Sequence, residues 1–232
     1  MIALKNLTIG FGHELFSVHD FNFEIGRVYS ILGRNGIGKS TLLRAIAGLN
    51  SPLKGSVLIE NNDIVNMSGK AVAQKIAFVN SNPLGVSHLP VDEFLLLGRS
   101  NFTSIWGAYS KDDLDILAHT KMLFQIEHLG MKYTNQLSTG ELQLCAIAKA
   151  FIQGSDMILL DEPTSALDYS NKRKIYDLLL RQASEYKKGI ILTTHDIELA
   201  FKYAFKFLLI NSRSKTLEKI SSFSEAEKEF LI

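Results

Sequence analysis

The stretch Gly33-Arg34-Asn35-Gly36-Ile37-Gly38-Lys39-Ser40-Thr41 constrains the fold more than any other part of the chain. It fits G-x-x-x-x-G-K-[S/T], and its surroundings match that pattern's context. Before it runs Val28–Leu32, apolar and β-prone. After it runs 42–49, a helical segment that stops near Gly48. Glycines let the backbone bend tightly and turn its N–H groups onto phosphate oxygens, at the positive end of the following helix. Lys39 is predicted to reach the β- and γ-phosphates of a nucleotide, and the Ser40 hydroxyl to ligate Mg²⁺. A glycine-rich turn without a ligand would have no need of Lys-Ser in register.

The chain has 232 residues, enough for one large domain or a domain with a subdomain. Hydrophobic residues make up 46%, which supports a packed core and argues against disorder. Lys and Arg total 25 against 24 Asp and Glu, so no global field recruits nucleic acid or an anionic membrane. The single cysteine, Cys145, rules out a disulfide framework and reads as a small core residue. No secretory signal is expected at Met1-Ile2-Ala3-Leu4, and no apolar run approaches the ~20 residues of a membrane span. Residues 199–210 are apolar but short, and carry Lys202 and Lys206. A membrane role would have to run through a partner.

In chain order, residues 2–32 alternate and turn like a small antiparallel sheet. Phe11, between Gly10 and Gly12, is read equally well as core or as a ring stacked on a purine base. Residues 55–61 are an expected edge strand and 76–79 a buried one, followed by a loop from Asn80 to Pro90. Helical patterns cover 91–99 and about 112–127, with an aromatic loop at 101–109 that includes Trp106. Ser138 with Glu141 three residues later forms a capping box at the start of a helix running to Phe151. Ile158-Leu159-Leu160 then leads to Asp161-Glu162-Pro163, an apolar strand ending in two carboxylates. Asp161 is the expected second Mg²⁺ anchor, and Glu162, by strand alternation, is expected to face an attacking water. After a helix at about 169–185, strand 189–194 delivers His195 to the same sheet edge, where ligands of α/β sheets sit. The tail, 211–232, reads as polar, then weakly helical from Ser224.

With these motifs in this order, the chain resembles the ATP-binding subunit of an ABC transporter, over about residues 2–210. The stretch Leu95-Leu96-Leu97-Gly98-Arg99, with Trp106-Gly107 and Ser110-Lys111-Asp112-Asp113, is similar to the branch serving importers of iron chelates, haem and cobalamin. The resemblance implies an α/β P-loop NTPase with a mostly parallel sheet and an N-terminal antiparallel β subdomain. Core residues would be about 1–81 and 146–210, with a helical subdomain inserted at about 82–145. It implies ATP and Mg²⁺ as cofactors and a head-to-tail homodimer sandwiching two ATPs. ATP would be held by Phe11 and by Gly33, Arg34, Asn35, Gly36, Ile37, Gly38, Lys39, Ser40 and Thr41. Ser138, Thr139, Gly140 and Glu141 would complete the site of the other subunit. Asp161 and Ser40 would serve Mg²⁺, Glu162 would polarise water, His195 would hold the γ-phosphate, and Asp168 would organise the dimer contact. Partners would be integral-membrane permease subunits and, indirectly, a substrate-binding protein, at the cytoplasmic face of the membrane.

Three positions depart from the family pattern. Ser81 stands where a glutamine is expected after strand 76–79, and it is too short to reach Mg²⁺. Asn82 or Asn80 could reach from a shifted loop, or a water could bridge. Thr139 replaces a glycine, and Leu144 an arginine. Two other readings follow: a soluble ATPase of the same type acting on nucleic acid or the ribosome, and a nucleotide-binding module of low turnover. The first lacks the expected long coiled-coil insertion or second cassette. The second sits poorly with retention of Glu162 and His195.

Overall fold

The computed structural model describes residues 1–102, 108–203 and 205–230. Trp106 and Gly107, part of the aromatic loop singled out above, lie outside the described residues. The chain opens with strands β1 (Ile2–Phe11), β2 (His13–Val18), β3 (Phe21–Phe23) and β4 (Val28–Leu32), then helix α1 (Lys39–Ile46). Strands β5 (Lys54–Ile59) and β6 (Asn62–Asp63), helix α2 (Gly69–Lys75) and strand β7 (Ile76–Val79) follow. Next come α3 (Val91–Leu96), α4 (Lys111–Phe124) and α5 (Thr139–Ile152). The chain then runs through β8 (Met157–Leu160), α6 (Tyr169–Tyr186), β9 (Gly189–Thr193), α7 (Ile197–Lys202), β10 (Lys206–Asn211), β11 (Thr216–Ile220) and α8 (Phe223–Phe230).

One sheet runs in the order β6-β5-β1-β2-β11-β10-β4-β9-β8-β7, with β3 paired to β1. The strands from β10 to β7 are mutually parallel, whereas β1 pairs antiparallel with β2, β3 and β5. Strands β4, β8 and β9 are buried along their whole length, as befits a parallel sheet covered on both faces. Their alternation feeds two cores. Leu32, Ile158, Leu160, Ile190 and Leu192 face one, with α3–α7. Tyr29, Ile31, Met157, Leu159 and Ile191 face the other, with α1 and the N-terminal antiparallel strands. Each such fully buried aliphatic side chain contributes about 1.5–3 kcal/mol. The parallel register brings the carboxyl ends of β4, β7, β8 and β9 to one edge, and that edge carries Gly33, Asn80, Asp161 and Thr194.

Local chemistry sets the helix starts. Ser110 caps α4 with Asp113 reciprocating, and Ser138 caps α5 with Glu141 reciprocating. Helix α4 stops at Phe124, earlier than the expected 127, because Gln125 turns left-handed at φ 57°. The Gly10–Gly12 segment is the tip of a tight hairpin, Phe11 pairing with His13 across Gly12. On its second strand, β2, only Phe16 and Val18 are fully buried. The apolar stretch 199–210 divides into α7 and β10. The polar tail adds β11, half-exposed and pinned by β10, before α8.

Candidate functional site

The loop from Gly33 to Gly38 joins β4 to α1. Gly36 has φ 77° in open space, so its requirement is conformational. Gly38 caps α1 at φ 109°, and a Cβ there would stand 3.0 Å from Leu15 Cδ1 and Phe16 Cε1 of β2. The hairpin therefore packs against the loop, and both conformation and contact call for glycine. Phe11, at the tip of that hairpin, is exposed, which removes the core reading of its ring.

Lys39 is buried, and its Nζ donates to the carbonyls of Gly33 at 2.7 Å and Arg34 at 3.1 Å. Burial pulls its pKa down, opposed by the charges of Glu162 and Asp161, which places all three in one electrostatic neighbourhood. Arg34 Nε also donates to the carbonyl of Glu229 at 2.9 Å. The Glu229 carboxylate is itself buried and accepts the Ser212 N–H at 2.9 Å.

At the end of β8, the Asp161 N–H continues the sheet onto Val79 O at 2.9 Å. Asp161 is 1% exposed. Its Oδ1 accepts from Thr193 Oγ1 at 2.8 Å, while Oδ2 is buried with no hydrogen-bond partner. An orphaned buried carboxylate oxygen is costly, and a hard divalent cation is the natural group to satisfy it. Ser40, in the first turn of α1, offers a half-buried hydroxyl of the same hard character. This donor set fits Mg²⁺.

Glu162 reaches the site differently from the expectation. Strand β8 ends at Leu160, and Glu162 takes a left-handed turn at φ 48°, so the turn and not strand alternation aims its carboxylate. Its N–H donates to Thr193 Oγ1 at 2.9 Å. Its Oε1 lies 2.6 Å from His195 Nε2. Beyond His195, Asp196 is tied to Lys172 at 2.9 Å and Thr164 at 3.1 Å. Thr194 Oγ1 takes the Asp196 N–H and pairs with the buried Tyr176 hydroxyl at 3.0 Å. The histidine turn is thus braced from α6.

Lys39, Asp161, Glu162 and His195 come together. Ser138, Thr139, Gly140 and Glu141 do not join them: no hydrogen bond or ion pair among the described residues links the two groups. These residues open α5, where Ser138 Oγ accepts the Glu141 N–H at 3.2 Å and Glu141 Oε2 accepts the Ser138 N–H at 2.8 Å. The second bond holds the Glu141 carboxyl below its usual range. A Cβ on Gly140 would stand 3.1 Å from Ala166 O, so this opening abuts the segment leading to Asp168. Asp168 caps α6, taking the Asn171 N–H at 2.8 Å. Among the described residues no hydrogen bond joins Ser81 or Asn82 to Asp161. Asn80 Oδ1 instead takes a long bond from Arg44 at 3.4 Å. Sequence reasoning missed Thr193 and Glu229. The first looked like an ordinary β-branched strand residue, and the second lies in a tail without a motif.

The family model for ABC transporters matches residues 16–165. An uncharacterised ABC transporter ATP-binding protein of Methanocaldococcus jannaschii is 36% identical over 195 residues, 83% of this chain and 76% of the relative. The achromobactin transport ATP-binding protein of Dickeya dadantii is 31% identical over 214 residues, 92% and 80% of the two chains. The molybdate import ATP-binding protein of Haemophilus influenzae is 31% identical over 218 residues, 92% and 80% of the two. Among solved structures, a metal-chelate type ABC transporter in an inward-facing conformation is similar at TM-score 0.82 and 26% identity, covering 99% of this chain and 88% of that one. A dimeric ATP-binding cassette bound to ADP and phosphate after hydrolysis gives TM-score 0.83 at 28% identity, covering 96% and 100%. The loop that carries Lys39, the acids that close β8 and the histidine after β9 sit on a fold and a sequence that both lead to one family. The chain belongs to the ABC transporter family, as one of its ATP-binding, ATP-hydrolysing cassettes.

Proposed function

We propose that this cassette is the motor of an importer for a metal chelate, working from the cytoplasmic face of a membrane beneath permease subunits. The observation that carries the catalytic part is the grouping of Lys39, Asp161, Glu162 and His195 at one sheet edge. ATP would lie on the loop from Gly33 to Thr41 with its adenine on Phe11. Phosphate oxygens would replace the carbonyls of Gly33 and Arg34 as acceptors for Lys39. Asp161 and Ser40 would hold Mg²⁺, which neutralises charge developing on the phosphate oxygens. Glu162 polarises the attacking water, and His195 donates from Nε2 to the γ-phosphate. Both roles need the 2.6 Å contact between them to open, so nucleotide competes with the pair.

The opening of α5 makes no hydrogen bond or ion pair to this group among the described residues, and it would serve a second copy of the chain. Ser138, Thr139 and Gly140 would present a helix N-terminus to the partner's γ-phosphate, with Asp168 at the seam. Residues 82–145 would move as a helical subdomain relative to the core when the dimer closes.

A metal chelate as cargo rests on the Leu95–Arg99 segment and on the likeness to the achromobactin transport protein and to the metal-chelate type transporter. The molybdate relative favours an oxyanion instead. Co-purification of the tagged protein from its native membrane tests the reading. We expect a polytopic membrane partner, ATP turnover in the complex, and turnover in proteoliposomes that rises with a ferric chelate bound to its carrier. Stimulation by molybdate alone would replace the cargo. Recovery with RNA and no membrane partner would overturn the transporter role.

A further inference from the structure

We propose that Thr193 is the positioning residue of this site, its one hydroxyl aiming the free oxygen of Asp161 at the metal position and fixing the turn that carries Glu162. The inference rests on the roles just given to Asp161 and Glu162.

A hydroxyl has one proton to donate and two lone pairs to accept with. Thr193 Oγ1 donates to Asp161 Oδ1 at 2.8 Å and accepts the Glu162 N–H at 2.9 Å. The sheet register explains why it can do both. Leu160 on β8 is opposite Leu192 on β9, so the next step along the parallel pair sets Asp161 beside Thr193. On its other side Thr193 pairs with Ile31 of β4, just ahead of the phosphate loop. The residue is fully buried, and no water competes for its hydroxyl.

Two geometric consequences follow. A carboxylate held through one oxygen presents the other in a fixed direction, and Asp161 Oδ2 is the buried oxygen left without a partner. Separately, Glu162 holds a left-handed backbone at φ 48°, which a non-glycine residue keeps only when its surroundings impose it. The N–H bond to Thr193 holds the turn from one side, and the Ser165 N–H and hydroxyl hold the Glu162 carbonyl from the other at 3.2 and 3.1 Å. Threonine suits the task better than serine, because β-branching restricts χ1 and keeps the hydroxyl aimed. Valine has the same shape and nothing to donate or accept.

The test compares Thr193→Val, Thr193→Ser and Thr193→Cys with the unaltered protein. Binding of Mn²⁺ in the presence of ADP is followed by electron paramagnetic resonance, and steady-state ATP hydrolysis is followed across Mg²⁺ concentrations. Loss of a partner behind a metal ligand weakens metal binding and activity by roughly 10–100-fold, which is the size expected for Thr193→Val. The fall should appear in kcat and in the Mg²⁺ half-saturation, with the KM for ATP changed little. Serine should restore both to within about three-fold, since it keeps donor and acceptor. If the valine variant does not fold, the cysteine variant decides. It is close in volume but a weak donor, and it should fall between valine and serine.

A folded valine or cysteine variant with unaltered Mn²⁺ binding and turnover would make Thr193 a core residue and nothing more. Failure of the underlying roles looks different. In that case Asp161→Asn would leave Mn²⁺ binding intact and Glu162→Gln would leave turnover intact, whatever Thr193 does.

Discussion

His195 Nε2 stands 2.6 Å from Glu162 Oε1, so the histidine at the end of β9 and the acid after β8 hold each other. With the proton on Nε2, the imidazole donates and orients the carboxylate. His195→Ala should cost turnover about 10²–10³-fold, the size of losing one donor aimed at developing charge. Its ATP affinity should change far less. Equal losses in affinity and kcat would place His195 in ground-state binding.

The Arg34–Glu229 contact carries a second prediction. The Glu229 carbonyl on α8 takes Arg34 Nε at 2.9 Å and fixes the loop whose Gly33 and Arg34 carbonyls accept from Lys39. Ending the chain before Phe223 should raise the KM for ATP by roughly three- to ten-fold, the worth of one ordinary intramolecular hydrogen bond, with kcat retained. Arg34→Met should reproduce the shift with α8 intact. An unchanged KM in both would leave α8 a packing element only.

Much of this site was legible in the sequence, and the limits are physical. The glycine loop, the acids after an apolar strand and the Ser138 cap are local patterns, whose chemistry depends on residues a few positions apart. Thr193 acts through a pairing with β8, which the sequence around it does not reveal. Glu229 acts through the fold-back of α8 onto the phosphate loop, and no periodicity encodes that. Glu162 stands against His195 through a left-handed turn and not through strand alternation, and the end of β8 had to be seen before that turn could be.

Cys145 is fully buried, and desolvation pushes its thiol from 9.0 up to about 12. The folded state therefore favours the protonated thiol. That stabilisation is complete below about pH 9 and is lost as pH rises toward 12, at no more than about 1.4 kcal/mol per pH unit. Iodoacetamide at pH 8 should leave Cys145 unmodified in the native protein and alkylate it in denaturant. Mass spectrometry of the intact chain reads the difference. Rapid native modification would contradict the burial.

Arg99 Nε meets Asp113 Oδ1 at 2.6 Å beneath the start of α4, with side chains 14% and 6% exposed. The Ser110 N–H, followed by Arg99, holds the Asp113 carboxyl below its usual range. The stabilisation is present above the ordinary value near 3.8 and is lost as pH falls through the lowered one. Asp113→Asn leaves the arginine buried beside a neutral amide and should cost about 2–4 kcal/mol, read by urea denaturation at pH 7. The deficit should shrink below pH 4. A variant as stable as the parent would mean that Arg99 is held by Ile152 O and the Phe102 ring alone.

The most direct test of the central claim is sedimentation equilibrium of Glu162→Gln with and without ATP and Mg²⁺, beside its rate of ATP hydrolysis. The expected result is a monomer without nucleotide and a stable dimer with it, turnover lost by at least about 100-fold, and the dimer abolished by adding Ser138→Arg. A variant that still hydrolyses ATP at the parent rate would show that Glu162 does not activate the water. One that stays monomeric at saturating ATP and Mg²⁺ would remove the shared site built from Ser138 and Gly140.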